Sequence, residues 1–186
     1  MSDKVTLAME DNALVKNCIE GDPRAQRALF EKFAPKMLGV CIRYTRNTEQ
    51  AEDVLQDGFV KVFTKLNHFK GGGSLEGWVR RIMVNTALDQ IRKNVKFQDN
   101  VAMDQVDYKI EHQGFILEGL MEEDLLKVIN EMPTGYKTVF NMFAIEGYSH
   151  KEIAEKMGIS ENTSKSQYSR ARAFLKTKLE ELGIER

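Results

Sequence analysis

Cysteine is scarce in this 186-residue chain: Cys18 and Cys41 are the only two. Two thiols are too few for a disulfide framework or a tetrahedral zinc site. Both sit among apolar neighbours and are expected to be small buried hydrophobes. Proline is limited to Pro23, Pro35 and Pro133, and strand-like alternation is nearly missing, which leaves helical periods along most of the chain. No apolar run approaches the roughly 20 residues needed to cross a bilayer, and the start MSDKVTLAMEDN lacks a signal-peptide core. No membrane insertion is therefore expected, and the protein should stay in the cytoplasm. There is no glycine-rich phosphate loop after a strand, no HExxH, and no Ser/His/Asp spacing; His68, His112 and His150 are scattered. Nothing marks an enzyme, and no cofactor or metal is called for.

What is present is an ordinary globular composition, 42% apolar and 30% charged, which excludes disorder along the whole chain. Charge of one sign is also lacking overall: 27 basic groups face 28 acidic ones. The distribution is uneven, however. Residues 1–95 carry a net +3, residues 96–120 a net −3, and residues 160–178 hold Lys165, Arg170, Arg172, Lys176 and Lys178 against Glu161 alone. Screening cuts off exposed charges beyond about 8–10 Å, so phosphate binding depends on the local field. A near-neutral chain with basic helices can hold DNA while its acidic surface faces a protein.

The apolar periods predict an opening helix over about 12–20, with Leu14, Val15, Cys18 and Ile19 on one face. Gly21 breaks it, and Asp22-Pro23 supplies an N-cap and a first-turn proline for a helix over about 23–45. That helix should bury Ala25, Ala28, Leu29, Phe33, Met37, Val40 and Cys41. Asn47 and Gln50 resemble a capping box for a helix over about 48–66. Its stripe of Ala51, Val54, Leu55, Phe59, Val62 and Phe63 leaves Glu52, Asp53, Gln56, Asp57 and Val60 outward. Three consecutive glycines make Asn67–Ser74 a loop, and Ser74 should cap a helix over about 75–93. The spacing of Trp78 with Leu75, Ile82 and Leu88 favours the interior over a stacking platform.

These four helices suggest a bundle over 1–95. Periodicity fails over 96–120, which reads as a flexible, acidic tether. A second helical domain, 121–186, opens with segments over about 121–131 and 134–146. Ser149 and Glu152 then form a capping box for a short helix. Gly158-Ile159-Ser160 turns the chain into a final helix with Tyr168, Ala171, Leu175, Leu179 and Leu182 inward. A small Ala154 four residues before the turn glycine fits the close approach of a helix-turn-helix. The opposite face carries Asn162, Thr163, Lys165, Ser166, Ser169, Arg170 and Arg172, donors suited to base edges and phosphates in a major groove. An αα-hairpin with a solvated basic face is the competing reading of this segment. The expected fold class is all-α: two small helical domains joined by a flexible linker, the C-terminal one a helix-turn-helix.

Three runs taken together say more. AEDVLQDGFVKVFTKL, then GWVRRIMVNTALDQIRK after the glycine loop, then YSHKEIAEKMGISENTSKSQYSRARAFL, closely resemble an ECF-type sigma factor, a minimal member of the sigma-70 family of promoter-specificity subunits of bacterial RNA polymerase. The likeness covers about residues 12–95 and 121–180. It implies that Asp53, Gln56 and Asp57 dock on the clamp helices of core polymerase. It implies that the loop 67–74 captures a flipped base of the −10 element, with His68, Phe69, Lys70 and Asn85 around it and Arg80, Arg81, Arg92 and Lys93 on phosphates. On the last helix it assigns Asn162, Thr163, Lys165, Ser166, Ser169 and Arg170 to the −35 element, with Arg172 as a phosphate clamp. An anti-sigma factor is implied as a further partner.

The chain departs from the usual family pattern at three positions. Ser164 replaces a branched apolar residue, Gln167 an arginine, and Tyr168 a leucine or isoleucine; the first should weaken packing and the second should remove a phosphate contact. The alternative reading is a stand-alone helix-turn-helix regulator that binds duplex DNA without polymerase.

Overall fold

A computed structural model describes residues 2–71, 73–97 and 122–183. Eight α-helices occur among them, α1 (Ser2–Ile19), α2 (Pro23–Ile42), α3 (Thr48–Lys65), α4 (Leu75–Phe97), α5 (Glu122–Glu131), α6 (Thr134–Phe140), α7 (His150–Met157) and α8 (Glu161–Glu181), and no strand. The chain divides into two compact units, Met1–Lys93 and Asn94–Arg186. The tether expected over 96–120 lies outside the described residues from position 98 onward.

In the first unit the helix starts follow from short-range chemistry. The Asp22 carboxylate accepts from the Arg24 amide at 2.9 Å, ahead of Pro23. Asn47 accepts from the Gln50 amide at 2.9 Å, while the Gln50 side chain accepts from Arg46 at 3.3 Å. Ser74 accepts from the Gly77 amide at 3.3 Å and opens α4. The bonds to the Arg24, Gln50 and Gly77 amides each satisfy a first-turn donor that the helix itself leaves unpaired, whereas Gln50 reaches the Arg46 amide ahead of the cap and not that of Asn47, so the expected capping box is half formed. The core is built from Leu29, Phe33, Met37 and Val40 of α2, Ala51, Val54, Leu55, Phe59 and Val62 of α3, and Leu75, Val79, Met83 and Ala87 of α4. Helix α1 begins ten residues earlier than its apolar pattern indicated, and α4 runs on to Phe97. Ile19 and Ala28, both expected inside, are exposed. Ile19 is the last residue of α1, and the chain turns away at Gly21, whose φ is +85°.

Both thiols are buried, as expected. Loss of solvation pushes Cys41 up to about 12, against a small opposing pull from Arg43. Burial, helped by the charge of Asp22, also raises Cys18.

At Gly58 of α3 an added Cβ would run into the Met83 sulfur of α4, and Met83 is itself fully enclosed. Gly58→Val is therefore expected to destabilise the fold by about 1–3 kcal/mol through overpacking, despite valine's better intrinsic helix propensity. A thermal melt should show the midpoint falling by several degrees; an unchanged midpoint would mean that Met83 has room to turn aside.

The second unit gathers Val128, Ile129, Met132, Tyr136 and Phe140 around Ala171, Leu175 and Leu179 of α8. The segment expected as one helix over 134–146 is α6 followed by a π-helical turn, Asn141–Ile145, closed by Glu146 N–H donating to the Asn141 carbonyl at 3.0 Å. The wider turn leaves Asn141 and Met142 buried and ends at Gly147, φ +76°. Leu182, expected to continue the inner stripe, is exposed because α8 stops at Glu181.

Candidate nucleic-acid interface

Helix α7 is held by a complete capping box: the Ser149 hydroxyl accepts from the Glu152 amide, and the Glu152 carboxylate accepts from the Ser149 amide at 2.9 Å. Gly158 closes the helix at φ +68°, a conformation that favours a residue without a Cβ. Ser160 then accepts from the Thr163 amide at 2.9 Å and starts α8. The two helices are in contact, the arrangement of a helix-turn-helix.

The apolar stripe of α8 fixes which residues face outward. Asn162 and Ser166 are exposed and Ser169 half-exposed, following one another along the side away from the core. Lys165, exposed, and Arg170, half-exposed, flank that line. Lys165 is paired with Glu161 at 2.7 Å, one turn earlier, and this bond holds the Glu161 carboxyl below its ordinary range. The Ser166 hydroxyl donates to the Thr163 carbonyl at 3.0 Å, and the Thr163 hydroxyl is bonded to Ser160 at 2.7 Å. Arg172 lies toward the core side. It is half-buried, and its Nε is shielded without a hydrogen-bond partner among the described residues.

Two departures from the family pattern acquire a physical explanation. Ser164 is fully buried, and its hydroxyl meets His150 Nδ1 at 3.0 Å. A branched side chain has been exchanged for a hydrogen bond that joins α8 to the first residue of α7. His150 also stacks on Phe143 at 4.3 Å, and Tyr168 packs on Phe143 at 4.5 Å and on His150 at 5.8 Å. The packing loss expected from Ser164 is thus replaced by an aromatic cluster around one polar bond. Gln167 turns inward, its side chain 3.3 Å from where Gly135 would carry a Cβ.

Burial, and then the charge of Lys165, lower the pKa of His150, with Glu161 opposing. The folded state therefore holds the neutral ring more tightly than the unfolded chain does. Stability is expected to fall as pH drops below about 6.5, where the unfolded chain takes up the proton first, and to level off below the lowered folded-state value. Ser164→Val strands the ring nitrogen and should cost about 1–3 kcal/mol. His150→Phe with Ser164→Val, an all-apolar version, should recover most of that loss and flatten the pH dependence. Denaturant titrations at pH 5 and 8 measure both effects.

In the first unit, α3 turns Glu52, Asp53, Gln56 and Asp57 outward together with Val60, which is 65% exposed. Phe30 of α2 packs on Phe59 at 4.6 Å and remains partly exposed beside that face. The glycine loop opens with a 3-10 turn, Leu66–His68, and Phe69 then lies against Trp78 with ring centroids 5.7 Å apart. Trp78, expected in the interior, is half-buried and supports the loop instead. His68 and Lys70 are exposed, Asn85 and Arg80 half-buried, and Arg81, Arg92 and Lys93 exposed; Gly72 lies outside the described residues. One partner was missed from sequence. Asp89 binds Arg92 at 2.5 Å and Lys61 of α3 at 3.1 Å, so a phosphate approaching Arg92 competes with a carboxylate. The Asp89/Arg92 spacing of three was the available signal.

The family model for sigma-70 region 2 matches residues 29–97, and that for sigma-70 region 4 matches residues 122–175. This chain belongs to the ECF class of the sigma-70 family. Among relatives of this sigma factor, the ECF RNA polymerase sigma-E factor of Haemophilus influenzae is 27% identical over 185 residues, covering 94% of this chain and 97% of that protein. The RNA polymerase sigma-H factor of Pseudomonas aeruginosa is 27% identical over 184 residues, covering 93% and 95%. Among solved structures, the sigma factor RpoE of Bartonella quintana, crystallised with the anti-sigma factor NepR, matches with a TM-score of 0.52 at 26% identity, over 86% of this chain and 98% of that one. CnrH in complex with the cytosolic domain of CnrY shares the fold, at a TM-score of 0.50 and 22% identity. Among the described residues no helix is long and apolar enough to cross a membrane.

Proposed function

We propose that this sigma factor binds core RNA polymerase through Asp53, Gln56 and Asp57 of α3 and directs it to promoters by two separate contacts with DNA. Helix α8 enters the major groove of the −35 duplex. Asn162, Lys165, Ser166, Ser169 and Arg170 reach base edges there, Thr163 contributes through the helix start, and Arg172, set toward the core side, would have to swing its guanidinium outward to clamp a phosphate. The loop after α3 takes the −10 element as a single strand. His68, Phe69, Lys70 and Asn85 receive the unstacked base, and Arg80, Arg81, Arg92 and Lys93 hold phosphates. Unstacking costs a few kcal/mol, offset by binding to the open strand, so nucleotide hydrolysis is not required. The sigma factor acts as a binding subunit in the cytoplasm, where polymerase and DNA are found. Residues 96–120 serve as the tether between the domains over 1–95 and 121–186. An anti-sigma factor is proposed as its regulator, on the precedent of the RpoE–NepR complex.

The observation that carries this reading is the outward row of Asn162, Ser166 and Ser169 on a helix whose other side is sealed by Ala171, Leu175 and Leu179. Run-off transcription by core polymerase and this protein over a promoter library tests it. Enrichment of templates sharing two spaced elements supports the reading. Tight duplex binding in the absence of polymerase, with no transcription, would instead favour the stand-alone regulator.

A further inference from the structure

Helix α1 has no part in the reading above, yet it lies against the loop assigned to base capture. It packs on the 3-10 turn that opens the loop. Asn12 Oδ1 comes within 3.5 Å of the position a Cβ would take on Gly71, whose φ is +69°. Gly71 follows Phe69 by two residues, and Phe69 rests on Trp78. Asn12 therefore meets the same short stretch of loop that carries the aromatic ring.

Three observations make this placement specific. Helix α1 is anchored at that height: Asp11, adjacent to Asn12, pairs with Lys32 of α2 at 2.7 Å, and its side chain is only 15% exposed. Over the next two turns, Val15 and Cys18 are buried in the unit's core. Asn12 itself is exposed, and among the described residues its carboxamide has no hydrogen-bond partner. An anchored helix thus presents a free amide, offering both a donor and an acceptor, beside the stretch Phe69-Lys70-Gly71, whose own side chains supply a ring and a cation. Phe69 supplies stacking, which every base accepts alike. Discrimination among bases needs paired donor and acceptor groups, and a carboxamide provides them in the geometry used to read base edges.

We infer that Asn12 reads the edge of the nucleobase held by the loop, and so sets which base of the single strand is preferred there. This rests on the proposed capture of the −10 strand by that loop. The same contact makes α1 a wall of the site as well as a brace for α2.

The test uses full-length protein with core polymerase on forked templates whose −10 non-template strand is single-stranded, with each of the four bases placed in turn at every position of that strand. The wild type should rank the four bases at one position. Asn12→Ala should flatten that ranking about tenfold, a change of about 1.4 kcal/mol, without altering the melting midpoint or binding to a −35 duplex. Asn12→Gln, which keeps the amide on a longer stem, should retain part of the ranking. Phe69→Ala is measured alongside. If Phe69→Ala abolishes strand binding while Asn12→Ala keeps the wild-type ranking, the assignment of Asn12 is overturned and the loop reading stands. If neither variant changes binding or ranking, both are overturned.

Discussion

Replacing Asp53 and Asp57 together by alanine is expected to abolish co-purification with core RNA polymerase while leaving the circular dichroism spectrum and melting midpoint essentially unchanged. Both carboxylates are exposed on α3, and among the described residues neither is bound in an ion pair. The residues that hold α3 in place, Ala51, Val54, Leu55, Phe59 and Val62, point the other way. Alanine is also a better helix former than aspartate, so the free protein loses nothing by the change. The loss falls on the complex. Truncating one partner of a desolvated charge pair typically costs about 2–5 kcal/mol, so two such losses reduce affinity by several orders of magnitude. Val60→Ser, which removes the apolar member of the same face, should weaken binding to a smaller degree. Undiminished co-purification of the double alanine variant would place the polymerase contact elsewhere.

Leu175→Ala should unfold the second unit without freeing the protein from polymerase. Leu175 is fully buried and belongs to the same cluster as Val128, Ile129, Met132, Tyr136 and Phe140. Leucine-to-alanine changes in such sites cost about 2–5 kcal/mol, and a helical unit of this size has little more than that in reserve. The expected readout is loss of −35 duplex binding and of α8 amide protection in hydrogen exchange. Co-purification with core polymerase should continue, because the proposed docking face lies on α3. A variant that keeps its duplex affinity would show that the cavity is refilled by its neighbours. Loss of both activities would show that the docking assignment to α3 is incomplete.

The helix boundaries were legible where short-range chemistry sets them. Asp22-Pro23, Asn47 with Gln50, Ser74, Ser149 with Glu152, and Ser160 are all caps seen in the structure. The inward stripes of α3 and α8 were likewise readable, because the helical period assigns each residue a face. Other features depend on partners distant in sequence. Ser164 looks like a defect in an apolar stripe until His150, fourteen residues earlier, is seen to bond it. Trp78 fits an interior pattern, yet its ring serves Phe69 across the loop. The π-helical turn at Asn141–Ile145 has the same local composition as a regular helix, and only the tertiary fit selects the wider winding. Asp89 was hidden for a similar reason: its pairing with Lys61 spans two helices.

The state of the two thiols also bears on how oxidants meet this molecule. Oxidants attack the anionic form of a cysteine. With Cys41 titrating near 12 and Cys18 shifted in the same direction, both remain protonated and sheathed at neutral pH. Neither thiol therefore offers peroxide or a disulfide a ready thiolate to attack.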